Sequence, residues 1–458
     1  MLTRLKLRNF KSWPDTGDLK LRPITGLFGA NSSGKTSLLQ ALLLLKQTSE
    51  SSDRGLVFHF GDHTMLVDLG DFRSVVHGHD LGAEMEVSLD WEIGKPFKVI
   101  DTKSSNKEIL SDHKLGLSVV TNQRSGARTP RPMVREMVYR VGAATFGMRQ
   151  QEEKGKGEYE LYSDGTEFQF IRSTGRAWPL PAPVKSYGFP DQVRAYFQNA
   201  GFLADLELAF EECLEGVFYL GPLRAYPARQ YTWAGAQPTD MGEAGEFAID
   251  ALLAARERGE KISRGKGRPR LTLEQYVAHW LKNLGLIHEF RVESVGEGSQ
   301  IFQVKVRKTP RSEEVLITDV GFGVSQILPV LVLCFYVPEG STIILEQPEI
   351  HLHPAVQSSL ADVLIDAWQK RKVQILLESH SEHLLRRLQR RIAEKAVSKD
   401  DIGLFFCSTD ARGSRITKLT LDLFGNITNW PKDFFGDEFG EIAAMTRAVQ
   451  ERRKEAAE

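Results

Sequence analysis

Four short stretches carry the residue types that handle phosphate. The first is GANSSGKT, residues 29–36, which fits G-x-x-x-x-G-K-[ST]. Gly29 and Gly34 permit a backbone that turns several N–H groups inward. Lys35 supplies a point charge for β and γ phosphates, and Thr36 a hydroxyl for Mg²⁺. The loop residues Asn31, Ser32 and Ser33, and Ser37 one residue beyond the motif, are assigned to the same site. The stretch follows a strand-like segment and opens the apolar-periodic helix TSLLQALLLLKQT, the context such a loop needs. The plain alternative is a glycine turn capping a helix.

The second is IILEQPEIHLHP, residues 343–354, a β-forming run that delivers Glu346, Gln347 and Glu349. An acid ending such a strand can hold Mg²⁺ or its water, so Thr36 and Glu346 are the expected metal contacts. Glu349, His351 and His353 also permit a metal-hydrolase reading, although two histidines at i, i+2 before Pro354 do not match a zinc-hydrolase pattern. The third is DVGFGVSQ, residues 319–326. It sets Gly321 and Gly323 ahead of Ser325 and Gln326 at a helix start, where free N–H groups and a hydroxyl suit an anion. The fourth is LLESHSEHLL, residues 376–385, where His380 at a strand end can reach a γ-phosphate.

These motifs need elements to hold them. Residues 2–28 alternate as strands before the glycine loop. From about residue 79 to 180, runs such as EMEVSLDWEI, KLGLSVVT, REMVYRVGAATFGM and EYELYSDGTEFQFI predict an inserted β-rich lobe, and residues 191–216 predict helix. Helical spacing returns at 244–258 and 272–284, separated by the basic loop SRGKGRPR (263–270). The later chain alternates strand, helix, strand, helix, strand, which implies a largely parallel sheet covered by helices. Four units are expected: residues 1–78 as the first half of an ATPase head, 79–215 as the lobe, 216–405 as the second half, and 406–458 as a C-terminal tail. The predicted fold class is α/β: a P-loop ATPase head with an inserted β-rich lobe and a short α+β tail.

Lys plus Arg (59) nearly balance Asp plus Glu (60), so only local patches can argue for a polyanionic partner. One such patch is Arg386, Arg387, Arg390 and Arg391, which reads either as a solvated helix face or as a nucleic-acid or acidic-protein surface. Three dispersed cysteines and no apolar run long enough to span a bilayer predict a cytoplasmic protein with no membrane partner.

The order of the four motifs resembles the ABC-type ATPases of the OLD and SMC-like group. It is most similar to compact bacterial AAA/ABC ATPases of the anti-phage defence and overcoming-lysogenization-defect type. NWPKDFFGD resembles the short uncharacterised domain that closes one branch of them. The resemblance implies ATP and Mg²⁺ as cofactors and places Lys11 and Ser12 of NFKSW near the phosphates. It implies His380 as the switch histidine, HLHP as the D-loop, and Glu346, Gln347, His380 and Glu349 as the catalytic set. It also implies a homodimer or higher oligomer, with Gly323 and Ser325 acting on a partner chain's nucleotide and Gly321 and Gln326 in the same nucleotide-binding turn. The departure is Gln347, because related chains commonly carry a second Glu that polarises water. An amide orients water but takes no proton at neutral pH, so slow turnover is expected. On the other side, phosphoryl transfer leans more on positioning and charge than on base strength. No acid cluster of nuclease type follows His380, so the expected effector, a nuclease or toxin, is a separate protein. The runner-up reading is a DNA-repair or recombination ATPase that clamps DNA; the absence of sustained heptads argues against its long-armed versions.

Overall fold

The computed structural model describes residues 1–101, 107–123, 131–151, 158–175, 178–265, 267–431, 434, 444–450 and 452. Much of NWPKDFFGD and of the final charged segment lies outside the described residues.

A six-stranded sheet forms the centre. Its order is Val217–Leu220, Thr342–Glu346, Gln374–Glu378, Ile24–Gly29, Ile402–Asp410, Gly413–Leu419. All neighbours are parallel except the last pair. The strands Val217–Leu220, Thr342–Glu346 and Gln374–Glu378 are buried along their whole length because both faces are covered. Ile343, Leu345, Ile375 and Leu377 point into one core, packed by the helices Phe322–Tyr336, Pro354–Arg371 and Glu382–Ala393. Ile344 and Leu376 point into a second core, which the helix Lys35–Glu50 shares with an antiparallel sheet. That period-two split is what a strand buried on both sides requires.

The antiparallel sheet runs Trp13–Asp15, Leu2–Phe10, Met85–Asp101, Lys107–Gln123, Pro132–Val141, Ala144–Gln150, Tyr159–Asp164, with Leu19–Lys20 paired to Leu2–Phe10. The β-rich lobe is therefore continuous with the N-terminal strand: Leu5 pairs with Leu89 and Leu7 with Val87 across the 78/79 boundary. The 405/406 boundary likewise falls inside the strand Ile402–Asp410. The helical stretch expected over 191–216 is broken into Asp191–Tyr196 and Phe202–Glu215.

Two tethers fix the site's framework. The fully buried amide of Gln374 receives the Leu2 N–H (2.8 Å) and donates to the Leu2 carbonyl (2.7 Å), locking the two sheets together. The Ser414 N–H donates to the Ser12 carbonyl (2.7 Å), so the C-terminal hairpin props the Lys11–Ser12 turn. Among the described residues no helix is long and apolar enough to cross a membrane.

Candidate nucleotide site

The glycine loop leaves the Ile24–Gly29 strand and enters the Lys35–Glu50 helix. Gly29 adopts φ +141°, and a Cβ there would lie 2.1 Å from the Cys407 carbonyl oxygen of the neighbouring strand. Gly34 adopts φ +90°, with the Ser12 and Ser414 hydroxyls crowding any Cβ. Only glycine fits either position. The Trp13 indole N–H donates to the Gly34 carbonyl (3.0 Å) and pins the loop from behind.

A pocket of about 590 Å³ opens over this loop. It is lined by the sequence-assigned residues Lys11, Ser12, Asn31, Ser32, Ser33, Gly34, Lys35, Thr36 and Ser37, and by Gln347 and His380, which follow the strands Thr342–Glu346 and Gln374–Glu378. Lys35 Nζ donates to the Gly29 and Ala30 carbonyls at 3.2 and 2.8 Å, folded back on its own loop. The hydroxyls of Ser12, Ser33 and Ser414 are buried without a hydrogen-bond partner. Such orphaned donors around a lysine and a helix N-terminus suit a polyphosphate. Lys11 Nζ donates to the Gln40 side chain (2.6 Å), and burial lowers its pKa.

Five lining residues escape the sequence reading: Ser74, Val76, Gly78, His79 and Glu378. The first four lie in a segment with no recognisable motif. The turn they form is tied to the Lys11 backbone by the Lys11 N–H to Val75 carbonyl bond (2.6 Å) and by His77 Nδ1 on the Lys11 carbonyl (2.8 Å). Glu378 is the larger omission, because its carboxylate accepts the Thr36 hydroxyl at 2.8 Å. The signal was present: it ends an apolar strand in the same manner as Glu346.

Glu346 pairs with Glu378 across the parallel ladder, one strand further from the glycine loop, and does not line the pocket. Its Oε1 accepts the Tyr219 hydroxyl (3.1 Å), and the Arg224 guanidinium donates to its backbone carbonyl (3.3 Å). Burial, reinforced by the Glu378 charge beside it, pushes the Glu346 carboxyl up to about 7. Gln347 holds the left-handed φ of +44°, a conformation uncommon outside glycine, and its N–H donates to the Glu378 carbonyl (2.9 Å). Glu349, counted from sequence among the catalytic groups, is also off the pocket lining. Its Oε1 accepts the Ser379 hydroxyl (2.8 Å) and the His380 N–H (2.7 Å), so it holds the turn that carries the histidine. His380 is half-buried, and desolvation, with the Lys35 charge nearby, lowers its pKa and favours the neutral ring.

Gly321, Gly323, Ser325 and Gln326 do not reach this pocket. They start the Phe322–Tyr336 helix, where the Ser325 hydroxyl donates to the Phe322 carbonyl (2.8 Å). Beside them sit exposed apolar side chains: Tyr226 (81% exposed) and Phe322, whose ring contacts both Tyr226 and His351. The metal-hydrolase reading loses its ligands. His351 packs on Phe322, His353 Nδ1 accepts the Ala355 N–H to cap a helix, and among the described residues no three metal-ligating side chains converge. The arginine stripe is paired: Arg386 with Glu382, Arg387 with Asp362, Arg390 with Glu394, and Arg391 with both Asp362 and Glu394. Each of these arginines thus has an acidic partner, two of them in exposed i,i+4 pairs that contribute little to stability.

Residues 1–127 and 270–385, just over half of the chain, match the AAA ATPase domain family. The chain belongs to that family. Membership implies ATP and Mg²⁺ as working ligands and ATP hydrolysis as the reaction. The buried serine hydroxyls, Lys35 and the Thr36–carboxylate pair fit that ligand. Residues 397–445 of this ATPase match a second family, described as Protein of unknown function (DUF3696). No curated protein matches. Among solved structures, the ATPase is similar to "SMC head domain from Thermotoga maritima" (11% identity, TM-score 0.40, covering 92% of this chain and 99% of that one). It is similar to the SmcHead bound to the C-winged helix domain of ScpA (10%, 0.45, 92% and 98%). A third is an Smc head domain with an extended coiled coil bound to the C-terminal domain of ScpA derived from Pyrococcus furiosus (9%, 0.47, 92% and 96%).

Proposed function

We propose that this ATPase is a nucleotide-gated sensor or scaffold of bacterial anti-phage defence. In the cytoplasm it binds ATP tightly, hydrolyses it slowly, pairs head to head, and holds or releases a separate effector such as a nuclease or toxin. The observation that carries the reading is Gln347. It stands at the pocket rim beside His380, in a constrained left-handed conformation, and offers an amide where a base would accept water's proton.

The residues divide the work as follows. The glycine loop N–H groups, Lys35 and the hydroxyls of Ser12 and Ser33 bind and orient phosphate. Gln347 positions a water, and neutral His380, held by Glu349, donates or accepts a hydrogen bond near the γ-phosphate. Because the signature turn does not line its own chain's pocket, Gly323 and Ser325 are assigned to the nucleotide of a second copy. The exposed Tyr226, Leu223 and Phe322 supply the apolar contact for that pairing. Leu423 and Phe424, each 73% exposed beyond the C-terminal hairpin, support the tail as an effector surface.

Single-turnover hydrolysis tests the reading. Wild type is expected to bind ATP and turn it over slowly, and Gln347→Glu to speed the step. Brisk hydrolysis by wild type that Gln347→Glu leaves unchanged would sink the switch. Salt-sensitive DNA binding coupled to ATP would favour the DNA-clamping alternative instead.

A further inference from the structure

The sequence assigns the metal to Thr36 and Glu346, but the geometry singles out a different acid. We propose that Glu378 is the carboxylate that, with the Thr36 hydroxyl, holds the divalent cation of the nucleotide site. The inference rests on the ATP-binding reading and deepens it.

Three observations carry it. The first is strand order. The Gln374–Glu378 strand lies directly beside the glycine-loop strand, and the Glu346 strand lies beyond it. Glu378 therefore ends the strand adjacent to the glycine-loop strand, and Glu346 the next one out. The second is distance. Glu378 Oε2 lies 2.8 Å from Thr36 Oγ1, and Glu378 Oε1 lies 3.7 Å from Lys35 Nζ. Neighbouring ligands of an octahedral Mg²⁺, each about 2.0–2.1 Å from the ion, are about 2.9 Å apart. The Thr36–Glu378 pair already has that separation. The third is occupancy. Glu346 Oε1 is taken by the Tyr219 hydroxyl and its backbone by Arg224, whereas Glu378 lines the pocket itself. His380 Nε2 lies 4.0 Å from Glu378 Oε1, the oxygen that Thr36 does not bond.

The consequence is thermodynamic. A carboxylate buried beside the phosphates repels them unless a cation lies between. Nucleotide binding should therefore depend on Mg²⁺ through Glu378. The experiment titrates a fluorescent ATP analogue into wild type, Glu378→Gln, Glu378→Asp and Glu346→Gln, with Mg²⁺ and with EDTA. Mn²⁺ affinity of each nucleotide complex is read by electron paramagnetic resonance. Wild type should lose roughly 10-fold or more in nucleotide affinity in EDTA, and Glu378→Gln should lose little while its complex binds Mn²⁺ about 10–100-fold more weakly. Glu378→Asp should keep part of the metal dependence. Tight nucleotide binding by Glu378→Gln in EDTA also shows that its pocket is folded. If Glu378→Gln keeps the full metal dependence and Glu346→Gln abolishes it, the proposal is overturned and Glu346 is the ligand. If wild type binds no nucleotide under either condition, the ATP reading fails and takes this proposal with it.

Discussion

The two phosphate-directed regions of the molecule differ in how complete they are. Around the glycine loop, one chain supplies lysine, hydroxyls, strand-end acid and histidine to a single pocket. Around the signature turn, Gly321 to Gln326 supply a helix start bordered by the exposed rings of Tyr226 and Phe322, and Gly321, Gly323, Ser325 and Gln326 do not line the glycine-loop pocket. In the proposed function the first region is the nucleotide site and the second completes the site of another copy, so that nucleotide would set assembly.

The contrast can be broken from either side. Lys35→Ala removes the point charge from the complete half. ATP affinity should fall about 10–100-fold, measured by fluorescent-nucleotide titration, because hydrogen bonds to charged groups contribute about 1.5–3 kcal/mol. Gln347→Glu supplies a base at the rim of the same half. Single-turnover hydrolysis should rise about 10-fold or more, within the range of general-base catalysis. Tyr226→Arg places a charge on the exposed border of the incomplete half. ATP affinity of the monomer should stay within about 2-fold of wild type while ATP-dependent pairing, followed by sedimentation, weakens by about 10-fold or more, since an uncompensated charge at an interface costs several kcal/mol. Loss of ATP affinity in Tyr226→Arg would show that the two halves act within one chain.

A change remote from both halves sharpens the comparison. Glu207 packs under the β-rich lobe, where its Oε1 accepts the Phe189 N–H (2.6 Å) and burial pushes its carboxyl up to about 7. The folded state therefore holds this proton more tightly than the unfolded state. The resulting stability is present below the unfolded value near 4.5 and is lost as pH rises to about 7. Glu207→Gln should flatten that decline, stabilising the protein by on the order of 1–2 kcal/mol at pH 8 in thermal melts, and leave ATP affinity untouched.

What the sequence reveals follows from how local each feature is. The glycine loop is contiguous and sits where its own strand and helix meet, so Gly29 to Ser37 are readable directly. Gln347 and His380 are readable because each ends an apolar run. Glu378 ends such a run too, but its importance depends on its strand lying between those of Glu346 and the glycine loop. Strand order is a property of the packed sheet and has no signature in the segment. Ser74 and His79 come from a turn without periodicity or motif, placed by backbone bonds to Lys11. The β-rich lobe is legible from its alternation. Its continuity with the strand Leu2–Phe10 is not, because the pairing spans some eighty residues of chain.

Nucleotide-gated pairing through a long-lived ATP state is the central proposal for this ATPase. The most direct measurement is the mass of the protein in solution with and without ATP and Mg²⁺, followed over time after excess nucleotide is removed. A rise to a dimer or higher multiple that persists in wild type and decays faster in Gln347→Glu is the predicted result. An unchanged mass on adding ATP, or an assembly whose lifetime ignores residue 347, would contradict it.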